Sequence, residues 1–290
     1  MYDNHLNAEA LAIRATLPAF NSFLVKELAA FPLYFGWVDC DPGYGKFRML
    51  LGGHDDAVAL RYFWNGSYEK ATLGLWQQLA KQCELIVDIG AHTGVYTLAA
   101  RSANSEASVV SFEPSYINYG RLNLNMRINR FNTGNTFVHA VGDKDEVLPF
   151  SILMPMDYLS AGGALGTRTG AHVTPVQVVA LDTFISSAFK PKVGMVKIDT
   201  EGHESEVIRG MTGLISASRP IIFFECIGAE AGAATQSQLE ILGYRFFEVD
   251  DAAETITAVK VIAPHFDSKN KPLHSRANRL AVPNEKPIPW

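Results

Sequence analysis

Short apolar runs alternate with amphipathic segments over most of the chain, and this alternation limits the possible folds more than any other sequence feature. Five runs have the length of a buried strand: ELIVDIG (84–90), ASVVSFEP (107–114), NTFVHAVG (135–142), GMVKIDTEG (194–202) and PIIFFEC (220–226). Segments with helical character separate the first three runs from one another and the fourth run from the fifth. Strands that alternate with helices form right-handed units, so we predict an α/β fold with a mostly parallel sheet and helices on both faces. Ligands of such sheets bind beyond the carboxyl ends of the strands, where the polar motifs described below fall.

The composition is that of a soluble globular protein. The 290 residues are 48% hydrophobic and 19% charged, which excludes a disordered, collagen-like or coiled-coil chain. The net charge of −5 argues against non-specific nucleic-acid binding, which needs a strong positive field. Three cysteines without CxxC spacing exclude a disulfide framework and a zinc ribbon and favour the reducing cytoplasm. We expect neither a signal peptide nor a membrane span, because the start is polar and the apolar stretch 28–38 is too short.

The segments outside the alternation are less regular. Residues 7–30 show helical spacing, residues 36–65 predict turns and short strands, and a helix is predicted over 68–81. Two later segments, ETITAVKVIA and NRLAVP, have strand character and can complete the sheet. The glycine-rich stretch 160–170 is predicted to be a mobile loop within the domain.

A glycine-containing turn follows the first apolar run. In VDIGAHTGVYT (87–97) the strand delivers Asp88, Gly90 allows a close turn, and a helix begins near Gly94. The spacing differs from the GxGxxG pattern of dinucleotide sites, because His92 stands where a glycine is needed. An acidic residue before the turn favours a cationic ligand over a pyrophosphate. An ordinary turn between a strand and a helix is the alternative interpretation.

A second acidic residue, Glu113, ends the next run 25 residues after Asp88 (113 − 88). A carboxylate in this position accepts hydrogen bonds from the two hydroxyls of a ribose, and Pro114 ends the strand beside it. The alternative is a strand-end acid that caps the following helix. Because Glu113 occurs at this spacing from the glycine-containing turn, the ribose contact is the favoured interpretation.

Ionisable residues are concentrated in KIDTEGHESEVIRG (197–210). The apolar strand ends at Asp199, and Glu201, His203 and Glu204 follow directly. Part of this pattern is expected of any helix start, since acids in the first turn interact favourably with the helix dipole. Clusters of this kind in clefts have shifted pKa values and perform acid–base chemistry, so we predict a catalytic role.

Together these motifs resemble the FkbM family of S-adenosylmethionine (SAM)-dependent methyltransferases. The resemblance covers roughly residues 66–283, and KIDTEGxE is its most specific block. The blocks that carry it are, in chain order, VDIGAHTG, SFEP, Asn125 with Asn129, HAVGD, ALDTF, VKIDTEGHESEVIRG, RP-IIFFE and NRLAVP. The resemblance implies a Rossmann-like class I methyltransferase fold, with a seven-stranded, mostly parallel sheet whose last strand is antiparallel. It divides the chain into an N-terminal extension of helix and short strands (1–65) and an FkbM-type domain (66–290).

The resemblance also implies the cofactor, SAM, which leaves as S-adenosylhomocysteine (SAH), and the residues that bind it. The implied contacts are Asp88, Gly90 and Gly94 for the methionine part, Glu113 with Pro114 for the ribose, Ala140 and Val141 for the adenine, and Tyr68 and Glu69 of the block NGSYE as a cover. His92 stands where the family has asparagine, which adds a titratable contact.

The predicted activity is methyl transfer to a hydroxyl oxygen of a glycan or a secondary metabolite, an acceptor class that the resemblance implies. An alcohol acceptor benefits from a base; the candidates are Asp199, Glu201 and His203, and the sequence does not decide between them. No metal ion, nucleic acid or membrane partner is expected. The alternatives are N-methylation of a small-molecule amine, a catalytically silent SAM-binding domain and, disfavoured by the missing GxGxxG, an NAD oxidoreductase.

For five further histidines the sequence predicts no catalytic or binding role. His139 is expected to be a semi-buried side chain with satisfied hydrogen bonds. Loop positions without identifiable partners are expected for His54, His172, His265 and His274.

Overall fold

A computed structural model gives the structure of residues 4–152, 163–270 and 272–288. The N-terminal elements are α1 (Asn4–Thr16), α2 (Val25–Leu28), β1 (Tyr34–Cys40), β2 (Phe47–Gly53) and α3 (Ala57–Asn65). β1 and β2 form an antiparallel hairpin, which confirms the predicted short strands. The prediction of turns and short strands extends to residue 65 and is wrong for the last part of that segment, which forms the helix α3. The Asp56 carboxylate starts this helix by accepting hydrogen bonds from two amides of its first turn, which satisfies donors that a helix start otherwise leaves free.

The remaining elements alternate between strands and helices, and they build the main sheet and a smaller one. They are α4 (Lys70–Ala80), β3 (Leu85–Ile89), α5 (Val95–Ala103), β4 (Ser108–Phe112), α6 (Tyr116–Ile128), β5 (Thr136–Phe137), β6 (Ala140–Val141), β7 (Glu146–Ile152), β8 (Ala164–Leu165), β9 (His172–Val179), α7 (Leu181–Phe184), β10 (Val193–Ile198), α8 (Glu204–Arg209), α9 (Thr212–Ser218), β11 (Ile221–Glu225), α10 (Ala229–Ile241), β12 (Tyr244–Asp250), β13 (Thr255–Val259) and β14 (Asn278–Pro283). Two 3₁₀ turns, Lys190–Lys192 and His274–Arg276, precede β10 and β14. None of the helices in the described ranges has the length and apolar character that a bilayer crossing needs.

The main sheet confirms the predicted Rossmann-like α/β fold, with one difference. Its strands stand in the order β13-β12-β14-β11-β10-β3-β4-β5. Pairing is parallel from β11 to β5, and β14 runs antiparallel between β11 and β12. The predicted sheet has seven strands, whereas the described residues form eight, because β13 pairs antiparallel with β12 at the edge. The segments ETITAVKVIA and NRLAVP therefore both enter the sheet, as β13 and β14.

The central strands are buried on both faces. Along β3 and β10, Ile86 and Met195 point into the core that the hairpin shares with α3, α4 and α5. Their neighbours Val87 and Val196 point into the core beneath α8, α9 and α10. Because both faces are covered, these strands are nearly continuous apolar runs, interrupted only by the buried Asp88 and Lys197, and this makes them visible in the sequence. The division into residues 1–65 and 66–290 stays a prediction.

A smaller sheet has the strand order β6-β9-β7-β8. NTFVHAVG, predicted as one strand, is divided between the two sheets, since β5 pairs with β4 and β6 pairs with β9. The predicted loop 160–170 begins outside the described residues. In its described part, β8 pairs antiparallel with β7, so this portion contains a short strand.

Candidate active site

A cavity of about 450 Å³ opens at the carboxyl ends of four neighbouring strands of the main sheet. Each strand end supplies a residue of its wall: Gly90 after β3, Glu113 after β4, Asp199 after β10 and Glu225 at the end of β11. Parallel strands place their carboxyl ends at one edge, so residues far apart in sequence meet here. The predicted convergence of the strand ends is confirmed.

Ten of the thirteen predicted site residues line this cavity. They are Tyr68, Glu69, Gly90, His92, Glu113, Pro114, Ala140, Val141, Asp199 and Glu201. The other three, Asp88, Gly94 and His203, do not form its wall. The ligand contacts and catalytic roles of all thirteen stay predictions.

Asp88 is 1% exposed and fixes the end of β3 to α5. Its carboxylate accepts a 2.6 Å hydrogen bond from the hydroxyl of Thr97, which also lies 2.7 Å from the Ser111 hydroxyl. Burial raises the pKa of Asp88 to about 6, against the opposing effect of the Thr97 hydrogen bond. Asp88 therefore orders the turn from beneath the cavity.

The turn after β3 passes very close to the turn after β10. Gly90 has φ of +77°, and a Cβ atom there would stand 1.8 Å from the carbonyl oxygen of Asp199. The amide of Asp199 donates a 2.9 Å hydrogen bond to the carbonyl of Ile89, so backbone joins the two strand ends. A glycine is required at this approach. Gly94, with φ of +102°, lies immediately before α5.

Glu113 is 5% exposed and holds the turn after β3 against the end of β4. One carboxylate oxygen accepts a 2.8 Å hydrogen bond from the amide of His92, and the other accepts one of 2.8 Å from the amide of Ser115. Burial raises the pKa of Glu113, opposed by His92 and these hydrogen bonds. The Nε2 atom of His92 is buried without a hydrogen-bond partner among the described residues, which leaves it free to contact a ligand.

Four further carboxyl groups line the cavity: Glu69, Asp199, Glu201 and Glu225. The fully buried ammonium of Lys197 lies 3.0 Å from the Asp199 carboxylate. Burial alone would raise the pKa of Asp199, but Lys197 holds it below its usual value. Asp199 is therefore an ionised group at neutral pH.

Glu201 differs from Asp199 in its ionisation. Its burial, and then the charges of Asp199 and Glu225, raise its pKa to about 8. Its backbone φ is +56°, and two other wall residues, Glu69 and His92, also have positive φ values of 40° and 50°. Such conformations are costly for side-chain-bearing residues and are concentrated at functional sites.

Replacement of Glu201 by glutamine is expected to stabilise the protein at pH 9 and to change little at pH 5. The pKa of Glu201 is about 8 in the folded state, above its unfolded value, so the folded protein binds this proton more tightly than the unfolded chain. The resulting stability is fully present below the unfolded pKa and is lost as the pH rises through 8. Glutamine cannot ionise and does not suffer this loss. One pKa unit corresponds to about 1.4 kcal/mol, and partial exposure reduces the gain to about 1–3 kcal/mol at pH 9. Urea unfolding of the wild type and of Glu201→Gln between pH 5 and pH 9 measures this difference in stability. The exposed Glu230→Gln is the control, and an equal shift in both variants would contradict the assignment.

Several wall residues are missing from the sequence prediction: Arg61, Asn118, His139, Glu225 and His274. The signal for Glu225 was available, because it ends the apolar run IIFFE as Asp199 ends MVKI. His139 corrects the expectation of satisfied hydrogen bonds, since its Nδ1 atom is buried without a hydrogen-bond partner among the described residues. Burial lowers the pKa of His139.

Three of the histidines predicted to lie in loops without partners need correction. The Nδ1 atom of His274 lies 3.9 Å from a carboxylate oxygen of Glu225 in the cavity wall. His265 is paired at 2.6 Å with Glu248, away from the cavity. His172 is the first residue of the strand β9.

His203, one of the three base candidates, precedes α8. Its Nδ1 atom lies 3.8 Å from a carboxylate oxygen of Glu206, and burial lowers its pKa. The structure thus brings Asp199 and Glu201 into the cavity wall but not His203. Within the described ranges, no group of three histidine, cysteine, aspartate or glutamate side chains is arranged to hold a metal ion.

Comparisons with known proteins agree with the motifs. The family model described as "Methyltransferase FkbM domain" matches residues 88–251. The hexuronic acid methyltransferase AglP of Haloferax volcanii is 25% identical over 154 residues, which are 53% of this chain and 61% of that protein. This chain therefore spans about three fifths of the length of that relative.

Solved structures with a similar fold include two methyltransferases. An FkbM methyltransferase from Methylobacillus flagellatus has a TM-score of 0.41 and 15% identity, over 77% of this chain and 52% of that one. A SAM-dependent O-methyltransferase from Thermotoga maritima has a TM-score of 0.39 and 11% identity, over 77% of this chain and 67% of that one. Since the family model covers more than half of the residues, including the turn after β3 and the strand ends of β4, β10 and β11, the chain belongs to the FkbM methyltransferase family.

Proposed function

We propose that this protein transfers the methyl group of SAM to a hydroxyl oxygen of a glycan. The observation that carries the proposal is that one cavity joins a strand-end carboxylate suited to a ribose, Glu113, with a group of acids suited to acid–base chemistry. Glu113 accepts hydrogen bonds from the amides of His92 and Ser115 and from the side chain of Asn118. A carboxylate offers about four acceptor sites, so this leaves one for a ribose hydroxyl.

The remaining walls also fit SAM. Apolar contact for an adenine ring is available from Pro114, Ala140 and Val141. The carboxylates of Glu69 and Asp199 attract the sulfonium and ammonium groups, which are both cationic. When bound, SAM supplies an activated methyl group for an in-line displacement, so the chain's main task is to hold the acceptor oxygen in line.

A glycan acceptor is supported by the relative from Haloferax volcanii, which is named for a hexuronic acid. A hydroxyl acceptor is supported by the acids in the cavity, because an alcohol must lose its proton in the transfer and an amine needs no strong base. The cytoplasm is part of the proposal, since Cys40, Cys83 and Cys226 are free thiols.

Calorimetric titration with SAM, followed by a transfer assay with methyl-labelled SAM, tests this function. The acceptor panel contains neutral hexosides, hexuronic acid glycosides and amino-sugar glycosides. We expect saturable binding of SAM, none of NAD, and label on a sugar hydroxyl. Binding of NAD would overturn the assignment of SAM as the cofactor. Binding of SAM with the label transferred to nitrogen, or to no sugar, would overturn the assignment of a glycan hydroxyl as the acceptor.

A further inference from the structure

A carboxyl group and an imidazole meet at the edge of the cavity, and neither has a role so far. The side chain of Glu225 is 12% exposed, whereas that of His274 is 64% exposed. Glu225 Oε1 and His274 Nδ1 are 3.9 Å apart, and both residues line the cavity. The pair therefore connects the interior of the site with solvent.

The sheet topology fixes this contact. β14 runs antiparallel beside β11, and the register places its first residue, Asn278, opposite Glu225. The 3₁₀ turn that contains His274 immediately precedes β14, so it lies at the carboxyl end of β11. An antiparallel strand in an otherwise parallel region is what brings residues 225 and 274 together.

We propose that Glu225 accepts the proton of the acceptor hydroxyl and that His274 passes this proton to solvent, an inference that rests on the proposed methyl transfer to oxygen. The acceptor oxygen forms a bond to the methyl carbon as the bond from carbon to sulfur breaks, and that electron pair stays on sulfur as a neutral thioether. The hydroxyl proton moves to the Glu225 carboxylate. It passes to His274 Nδ1 when the exposed imidazole closes the 3.9 Å separation to hydrogen-bond distance with the acceptor bound. The imidazolium releases a proton to water at the cavity mouth.

The surroundings of Glu225 favour it over Asp199 and Glu201 as the base. The charged and titratable groups that act on it or on its partner are Asp199 and Lys197 of the β10 end, Glu201 of the turn after β10, Glu69 before α4, Arg61 of α3 and His274. Burial, and then the charge of Asp199, raise the pKa of Glu225 to about 7. A base works best with a pKa near the working pH.

Asp199 and Glu201 are less suited to this role. Asp199 is held by Lys197 at a pKa below its usual value, which makes it a weak base. Glu201 keeps its proton up to about pH 8. The contact with Glu225 raises the pKa of His274, as expected of an imidazole that receives a proton from it.

Glu225→Gln and His274→Ala test the proposal, with His265→Asn as a matched control. His265 also pairs with a glutamate, Glu248, but lies outside the cavity wall. In the labelled transfer assay, Glu225→Gln is expected to lower turnover by about 10²–10⁴-fold and to remove the rise of rate with pH near 7. SAM affinity should change less than about twofold, since Glu225 acts on the acceptor. The control should keep the wild-type rate and pH profile.

His274→Ala is expected to lower turnover less, and added imidazole buffer is expected to restore it. Rescue by imidazole separates proton transfer from a structural role, because a packing defect does not respond to a buffer base. No rescue, or a wild-type pH profile in Glu225→Gln, would overturn the proposal.

A second measurement needs no acceptor. NMR titration of His274 in the SAH-bound protein should show its pKa fall in Glu225→Gln, and an unchanged pKa would overturn the pairing. A wild-type protein that binds SAH and shows this coupling, yet labels no sugar, instead contradicts the proposed function, so the two failures are distinguishable.

Discussion

Gly90→Ala is expected to destabilise the protein by about 3–5 kcal/mol and to abolish SAM binding. The added Cβ would stand 1.8 Å from the Asp199 carbonyl oxygen and 2.8 Å from its carbonyl carbon. These are backbone atoms, so no side-chain rotation relieves the clash, and the ends of β3 and β10 must separate. Urea unfolding and calorimetric titration with SAM measure the two effects.

Gly170→Ala is the matched control for this substitution. Gly170 has φ of +78°, close to that of Gly90, but an added Cβ meets nothing within 4 Å. It therefore carries the conformational cost alone, about 1–2 kcal/mol, and should leave SAM binding intact. Equal losses of stability in both variants would mean that the approach of the two turns is looser than described.

Glu113→Gln is expected to weaken SAM binding about 10–100-fold. Each carboxylate oxygen already accepts a hydrogen bond from a backbone amide, so a glutamine must turn its NH₂ group toward one of these donors. The turn that carries His92 then loses its support, and one ribose hydroxyl loses a charged acceptor worth about 1.5–3 kcal/mol. Titration with SAM measures the affinity.

Glu106→Gln is the control, since Glu106 is exposed and precedes the opposite end of β4. It should bind SAM as the wild type does. If Glu113→Gln loses stability but keeps its affinity, the capping interpretation of Glu113 is correct and the ribose contact is wrong.

The main sheet, and most of the residues at the carboxyl ends of its strands that line the cavity, were predictable because they follow from local sequence. The strands β3 and β10 are covered on both faces, so apart from Asp88 and Lys197 their sequences are apolar runs, and they end in turns that a ligand can reach. α3 was equally predictable from the capping residue Asp56, but the glycines before it indicated only turns. The division of NTFVHAVG into β5 and β6 was not predictable, because two-residue strands have no periodicity to read.

The contact between Glu225 and His274 illustrates what local patterns omit. The two residues are 49 positions apart (274 − 225), and the segment that holds His274 has no strand or helix period. The position of His274 depends on the pairing of β14 with β11, and this pairing is determined by the whole sheet. Similarly, the raised pKa of Glu201 arises from burial beside Asp199 and Glu225, which no single motif contains.

The insertion of β14 between β11 and β12 also imposes an order of events during synthesis. β11 and β12 leave the ribosome before β14, so the apolar edge IIFFE stays unpaired while the 58 residues 226–283 are added. At general rates of elongation this interval lasts roughly 3–12 s. An open apolar edge is a template for pairing with other chains. Substitutions that weaken β14 will therefore reduce the yield of folded protein by aggregation of nascent chains, before any defect in chemistry can be measured.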